Sequence, residues 1–132
     1  MAIRIVRLGS ERAAGEGLRI GTVRRPPRGV PKADFARRNF YDVWLPNLAP
    51  SEALLKSAQA AVAAEDVRGW RQFVRRYRME MKTPDHRALL DTLAALSHHA
   101  DFSVGCYCAN EAFCHRSVLR QLLQEHGAAV VD

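Results

Sequence analysis

Long apolar runs are missing from this sequence. No stretch approaches the ~20 residues that a membrane span requires, and the opening MAIRIVRLG has no apolar core of the signal-peptide kind. No membrane partner is expected, and the expected location is cytoplasmic. Cysteine is scarce as well. Three cysteines within nine positions are an odd number and a poor disulfide framework, so reduced thiols are expected. Internal repeats and low-complexity tracts are absent, which excludes a solenoid or a disordered array. Acidic residues are the minority charge, 14 against 20 Lys and Arg. What remains is ordinary globular material, 48% hydrophobic and 26% charged. At 132 residues it fits one domain, residues 1–132, that buries about two-thirds of its unfolded surface.

The formal charge of +6 is unevenly spread. Residues 19–38 carry seven basic side chains against Asp34, residues 68–82 carry six against Glu80, and the remainder sums to −5. Two concentrated positive segments on a mildly acidic background suit an anionic small molecule or a nucleic-acid backbone. The competing explanation is a solvated, solubilising surface.

Along the chain, Ile3 and Ile5 alternate with Arg4 and Arg7 as a strand with one face on a core does. Residues 18–23 are a second strand of matching length. Both a hairpin with the first strand and two separate places in one sheet satisfy the pattern. RRPPRGVPK, residues 24–32, holds three prolines, which remove backbone donors and force extended geometry before them. This segment is a rigid exposed loop, and arginines on a pre-set backbone lose less entropy when they close on an anion. The aromatic segment Phe40, Tyr41, Val43, Trp44 and Leu45 is expected to pack on the core. Ser51 caps a helix through residues 53–62. Asp66 caps the next, in which Trp70, Phe73, Val74, Tyr77 and Met81 form an apolar stripe beside a basic one of Arg68, Arg71, Arg75, Arg78 and Lys82. Thr83-Pro84 opens a third helix, with His98 and His99 read as structural at its end. Residues 128–131 are a last short strand.

All three cysteines fall in FSVGCYCANEAFCHRSVLRQLL, residues 102–123. Its first part alternates as a buried strand, and Val118, Leu119, Leu122 and Leu123 recur at helical spacing before Gly127. Cys114, His115 and Arg116 therefore stand at a helix N-terminus facing the carboxyl end of a strand, where open α/β sheets bind ligands and anions. Three chemistries use this turn. Zinc sites usually space cysteines two to four residues apart, whereas the gaps here are one, five and zero. Cys108, Cys114 and His115 would also need a distant fourth ligand such as His86 or His126, so no metal site is expected. A helix N-terminus beside arginine and histidine is the electropositive setting in which thiols become nucleophilic, which makes Cys108, Cys114 and His115 the candidate catalytic residues. Non-covalent anion binding by His115 and Arg116, with the cysteines merely packed, is the third. Cys106 is read as packing only.

LRIGTVRRPPRGVPK, DVWLPNLAPS, WRQFVRRY and CYCANEAFCHRSVLRQLL, in this order, resemble the domain-of-unknown-function family 488 (DUF488), in particular its YeaO-like branch. The resemblance rests on Arg24, Pro27, Arg28 and Gly29, on Trp44 with Leu48 to Ser51, and on Trp70, Phe73, Arg76 and Tyr77. Where that branch has an Asp before the first Arg and a Trp before the Pro, this chain has Val23 and Pro26. The resemblance implies a compact α/β domain and brings no established activity with it.

The expectation is a single-domain, three-layer α/β fold with a small, mostly parallel sheet that leaves room for an antiparallel edge strand, flanked by helices. Arg24, Arg25, Arg28 and Lys32 of the loop converge with Arg116 on one anion-binding cleft for a nucleotide or other phosphate-bearing ligand. Two alternatives are a nucleic-acid-binding module that uses the loop and the basic helix stripe, and a cysteine-dependent redox or transfer enzyme. No cofactor is expected.

Overall fold

The computed structural model describes residues 1–131. Five strands, β1 (Ile3–Arg7), β2 (Leu18–Gly21), β3 (Val43–Trp44), β4 (Phe102–Cys106) and β5 (Val130–Val131), form one sheet in the order β3-β2-β4-β1-β5. Every pairing is parallel. The antiparallel edge is absent, and β1 and β2 form neither a hairpin nor a neighbouring pair, because β4 lies between them. A strand buried on all sides suits that central place: all five residues of β4 are buried.

Four helices complete the fold: α1 (Glu52–Ala63), α2 (Val67–Glu80), α3 (Pro84–Leu96) and α4 (His115–Glu125). Their starts follow local chemistry. The Ser51, Asp66 and Thr83 side chains accept the N–H of Leu54, Gly69 and His86, and Pro84 opens α3 with the φ that a first turn needs. Gly127 follows α4 with φ +92°, a left-handed cap that other residues resist. The apolar faces of all four helices meet Ile3, Ile20, Phe102 and Val104 in one core, where Tyr77 is fully buried and its hydroxyl donates to the Leu48 carbonyl at 2.5 Å.

The opposite face of the sheet is covered by irregular chain. Gly21 points away from the Ile20 side, and a Cβ there would lie 2.3 Å from the Tyr41 ring, so only glycine lets Tyr41 lie flat on the strand. Phe35, Phe40 and Tyr41 pack there with Leu8 and Val23, in a cluster that extends to Cys106 at the end of β4 and on to Cys114. The aromatic segment is thus divided: Tyr41 is buried, while Val43 and Trp44 form the exposed edge strand β3. Trp44 is held by its indole N–H, which donates to the Val23 carbonyl at 2.7 Å.

Arg19 is also on this face. It is completely buried, with Nε and Nη2 donating to the Glu16 carboxylate at 2.8 and 2.9 Å and Nη1 to the carbonyls of Ser10 and Asn39. Ser103 donates a further bond to Glu16. Burial pushes the Glu16 carboxyl up, but the bonds from Arg19, Ala13 and Ser103 and the charge of Arg19 outweigh it and hold the group below its ordinary value. The first of the seven basic residues in the 19–38 segment is therefore a structural pin and contributes nothing to an exposed positive field.

Candidate functional site

Because β2 and β4 are paired in parallel, with Gly21 opposite Gly105, their carboxyl ends emerge side by side. This single pairing brings the proline-rich loop after β2 next to the cysteine turn after β4. Three bonds lock the junction. Thr22 donates its N–H and its hydroxyl to the Gly105 carbonyl, each at 3.0 Å, and Tyr107 Oη donates to the Arg25 carbonyl at 2.8 Å. Burial, and secondarily the neighbouring Tyr41, raise the Tyr107 phenol well above its usual range, so it stays a donor.

Beyond Cys106 the chain passes through Tyr107 and Cys108, makes one 3-10 turn at Glu111–Phe113, and enters α4 from Cys114. Asn110 caps the short turn by accepting the Ala112 N–H. Cys114 and His115 are buried, and Cys108 is exposed. The sulfurs of Cys106 and Cys114 are in contact, although their Cα atoms stand 8.0 Å apart, beyond the ~4.4–6.8 Å that disulfides ordinarily span. Cys106, expected only to pack, thus belongs to the cysteine cluster, and Cys108 is the exposed cysteine outside it.

His115 is held by Nε2, which donates to the Thr22 carbonyl at 2.7 Å, so Nδ1 carries the lone pair, 3.9 Å from Cys114 Sγ. Burial lowers its pKa to about 4 against the opposing pull of the Thr22 carbonyl, with Arg116 and Arg24 contributing in the same direction as burial. At neutral pH the ring is uncharged. Two arginines from the two converging segments therefore both act on this imidazole.

The arginines divide by role. Arg24 donates Nε and Nη2 to the carbonyls of Pro50 and Ala49, each at 3.1 Å, latching the loop to the start of α1. Arg116 is buried, gives Nη2 to the Cys108 carbonyl at 2.6 Å, and leaves Nε without a hydrogen-bond partner among the described residues. Burial lowers its pKa, Glu111 and Cys108 oppose that shift, and Arg7 and Arg120 reinforce it. Arg25 pairs with Glu52 at the surface. Arg28 is exposed on the loop, and Lys32, at the 3-10 turn Lys32–Asp34, is exposed but lines neither of the clefts described next.

Two adjoining clefts run along α1. The first, about 590 Å³, is lined by Arg25, Pro26, Pro27, Arg28, Glu52 and Lys56 together with Phe40 and Tyr107. The second, about 270 Å³, takes Cys108, Cys114 and His115 on one side and Ala58, Val62, Trp70, Phe73 and Phe113 on the other. Leu55 and Gln59 line both. All three expected catalytic residues thus share one cleft, and two of the five expected ligand residues, Arg25 and Arg28, line the other.

The chain matches, over residues 3–127, the family described as DUF488-N3a, active DUF488-N3 subclade. The chain belongs to the DUF488-N3a family. No curated protein and no solved structure matches it. The likeness to the YeaO-like branch remains one of sequence motifs, and four of the residues that carry it line the clefts of this DUF488-N3a chain: Pro27 and Arg28 the first, Trp70 and Phe73 the second. Sequence inspection missed the wall contributed by α1. Lys56 and Gln59 are three residues apart on an exposed helix face, and nothing in that local pattern separates them from ordinary solvated residues. The basic stripe of α2 remains exposed at Arg68, Arg71 and Arg75, while Arg78 is committed to Glu125 and Gln121 of α4.

Proposed function

We propose that this DUF488-N3a chain binds a phosphate-bearing small molecule of nucleotide type along α1, with the anionic end at Arg25, Arg28 and Lys56 and the flat apolar end in the cleft of Trp70, Phe113 and His115. The observation that carries this reading is the shared wall of Leu55 and Gln59, which sets a basic cleft and an aromatic cleft side by side along α1. A ligand with one charged and one ring-bearing end fills both, and a simple anion fills only the first. Cys108 is the thiol available for covalent chemistry, being exposed at the edge of the second cleft.

Calorimetric titration with nucleoside mono- and diphosphates, and with inorganic phosphate, tests the reading. Nucleotides are expected to bind more tightly than phosphate. Arg28→Ala and Lys56→Ala are each expected to weaken binding about tenfold or more, the worth of a charge-assisted hydrogen bond. Equal affinity for phosphate and nucleotides, or unchanged affinity in both variants, overturns it. Tight binding of a duplex oligonucleotide that falls by orders of magnitude between ~50 and ~200 mM salt would favour the nucleic-acid alternative, through Arg68, Arg71 and Arg75.

A further inference from the structure

Cys106, Cys114 and His115 form a cluster in which the phosphate reading uses only the face of the His115 ring and neither sulfur. We propose that these three side chains bind one Zn²⁺ ion as a Cys₂His site whose fourth coordination position opens onto the aromatic cleft. Their donor atoms all lie within 4.8 Å of one another, and all three residues are buried. Two thiolates and one imidazole at zinc bond lengths of ~2.3 and ~2.0 Å stand roughly 3.5–4 Å apart, so the cluster needs only a small adjustment to close on an ion. The 8.0 Å between the Cys106 and Cys114 Cα atoms suits two sulfurs that share a metal better than two sulfurs that share a covalent bond.

The surroundings are those of a metal ligand set. Metal-bound histidines ordinarily donate their second ring nitrogen to a carbonyl or carboxylate, which fixes the tautomer and turns the free nitrogen to the ion. His115 does so: Nε2 donates to the Thr22 carbonyl and Nδ1 faces Cys114 Sγ. Both anchors are rigid, since Cys106 ends the central strand and Thr22 follows its neighbour. Binding releases both thiol protons, and two thiolates balance the charge of the ion, so the buried site gains no net charge. Three protein ligands with an open position are the pattern of a catalytic rather than a structural zinc site. Cys114 and His115 line the aromatic cleft, so the open position faces a space where water or a ligand atom can enter. Sequence spacing concealed the set, because the first ligand comes from a strand and the other two from the helix start eight residues later.

The inference stands apart from the phosphate reading and is tested without nucleotide. The reduced, chelator-stripped protein is titrated with Co²⁺ and then with Zn²⁺. One Co²⁺ per chain is expected, with a thiolate charge-transfer band and the visible bands of tetrahedral cobalt, both lost when Zn²⁺ displaces it. Cys106→Ser and Cys114→Ser are each expected to reduce the charge-transfer intensity by about half and to weaken Zn²⁺ at least ~100-fold, beyond the usual cost of an outer-shell change. Cys108→Ser is expected to leave both readings unchanged. Timed alkylation of the unmutated protein in urea just below its unfolding transition, where buried thiols become reachable, gives a test that no folding defect can obscure: Zn²⁺ is expected to slow the labelling of Cys106 and Cys114 relative to the metal-free protein while Cys108 reacts at the same rate in both. Absence of the charge-transfer band, its loss in Cys108→Ser, or labelling of Cys106 and Cys114 that saturating Zn²⁺ does not slow overturns the proposal.

Discussion

Arg19 and Arg116 are buried almost equally, with 0% and 4% of their surface exposed, yet the protein treats them in opposite ways. Arg19 lies on the loop-covered face of the sheet and spends its guanidinium on two carboxylate oxygens and two carbonyls. Arg116 lies at the start of α4 with a bond to the Cys108 carbonyl and a buried Nε that has no partner among the described residues. A buried charge that is fully paired holds a fold together, and removing one partner leaves the other uncompensated. A buried charge left partly unpaired sits at a cost that the rest of the fold offsets, and such groups gather where ligands and chemistry are. The first arginine therefore holds its face of the sheet together, and the second carries a partly unpaired charge beside the cysteine turn.

The sharpest way to break this comparison is Arg19→Met. It strands the Glu16 carboxylate in the core and is expected to cost about 3–5 kcal/mol, measured by urea unfolding. A loss below about 1 kcal/mol would mean that the pair is solvated in solution and that the contrast with Arg116 is false. The same region sets the acid limit. Glu16 and Asp42 are both pushed up by burial and held below their ordinary values by bonds from Arg19 and Arg12. Carboxyls depressed in the folded state contribute stability that is complete above the unfolded values, 4.5 and 3.8, and is lost as pH falls through the lower folded ones. Unfolding followed from pH 7 to 3 should show that decline, and Glu16→Gln should flatten it. An unchanged acid limb in that variant would remove Glu16 from the account.

Next in size, Arg116→Met should cost only about 1 kcal/mol, one net hydrogen bond, because no carboxylate is left stranded. It should also speed amide hydrogen exchange at residues 108–110, whose chain Arg116 holds. A cost equal to that of Arg19→Met would erase the distinction. The smallest effect belongs to Arg28→Ala, within about 0.5 kcal/mol in stability, since the side chain is exposed and lines the first cleft without a structural bond to make. A larger stability loss would make Arg28 a structural residue like Arg24.

Much of this protein is legible without its tertiary structure, because the relevant signals are local. Ser51, Asp66 and Thr83 declare helix starts through bonds that reach only three residues ahead. The stripe from Trp70 to Met81 declares a buried helix face, and the alternation from Phe102 to Cys106 a buried strand. The placement of Cys114 at the entry to α4 is equally local, as is the exposure of the proline-rich loop. Strand order is a different matter. Backbone hydrogen bonds between strands are nearly blind to side-chain identity, and period-two patterning says which face is apolar without saying which strand lies alongside. That β4 separates β1 from β2 was decided by packing of the whole chain. So was everything that follows from it: the meeting of the proline-rich loop with the cysteine turn, the contact of Cys106 with Cys114 and His115, and the choice of Arg19 as a buried pin while Arg28 faces the groove. The chemistry-bearing residues are set by the sequence itself, and their partners by the order in which parallel strands could close one core.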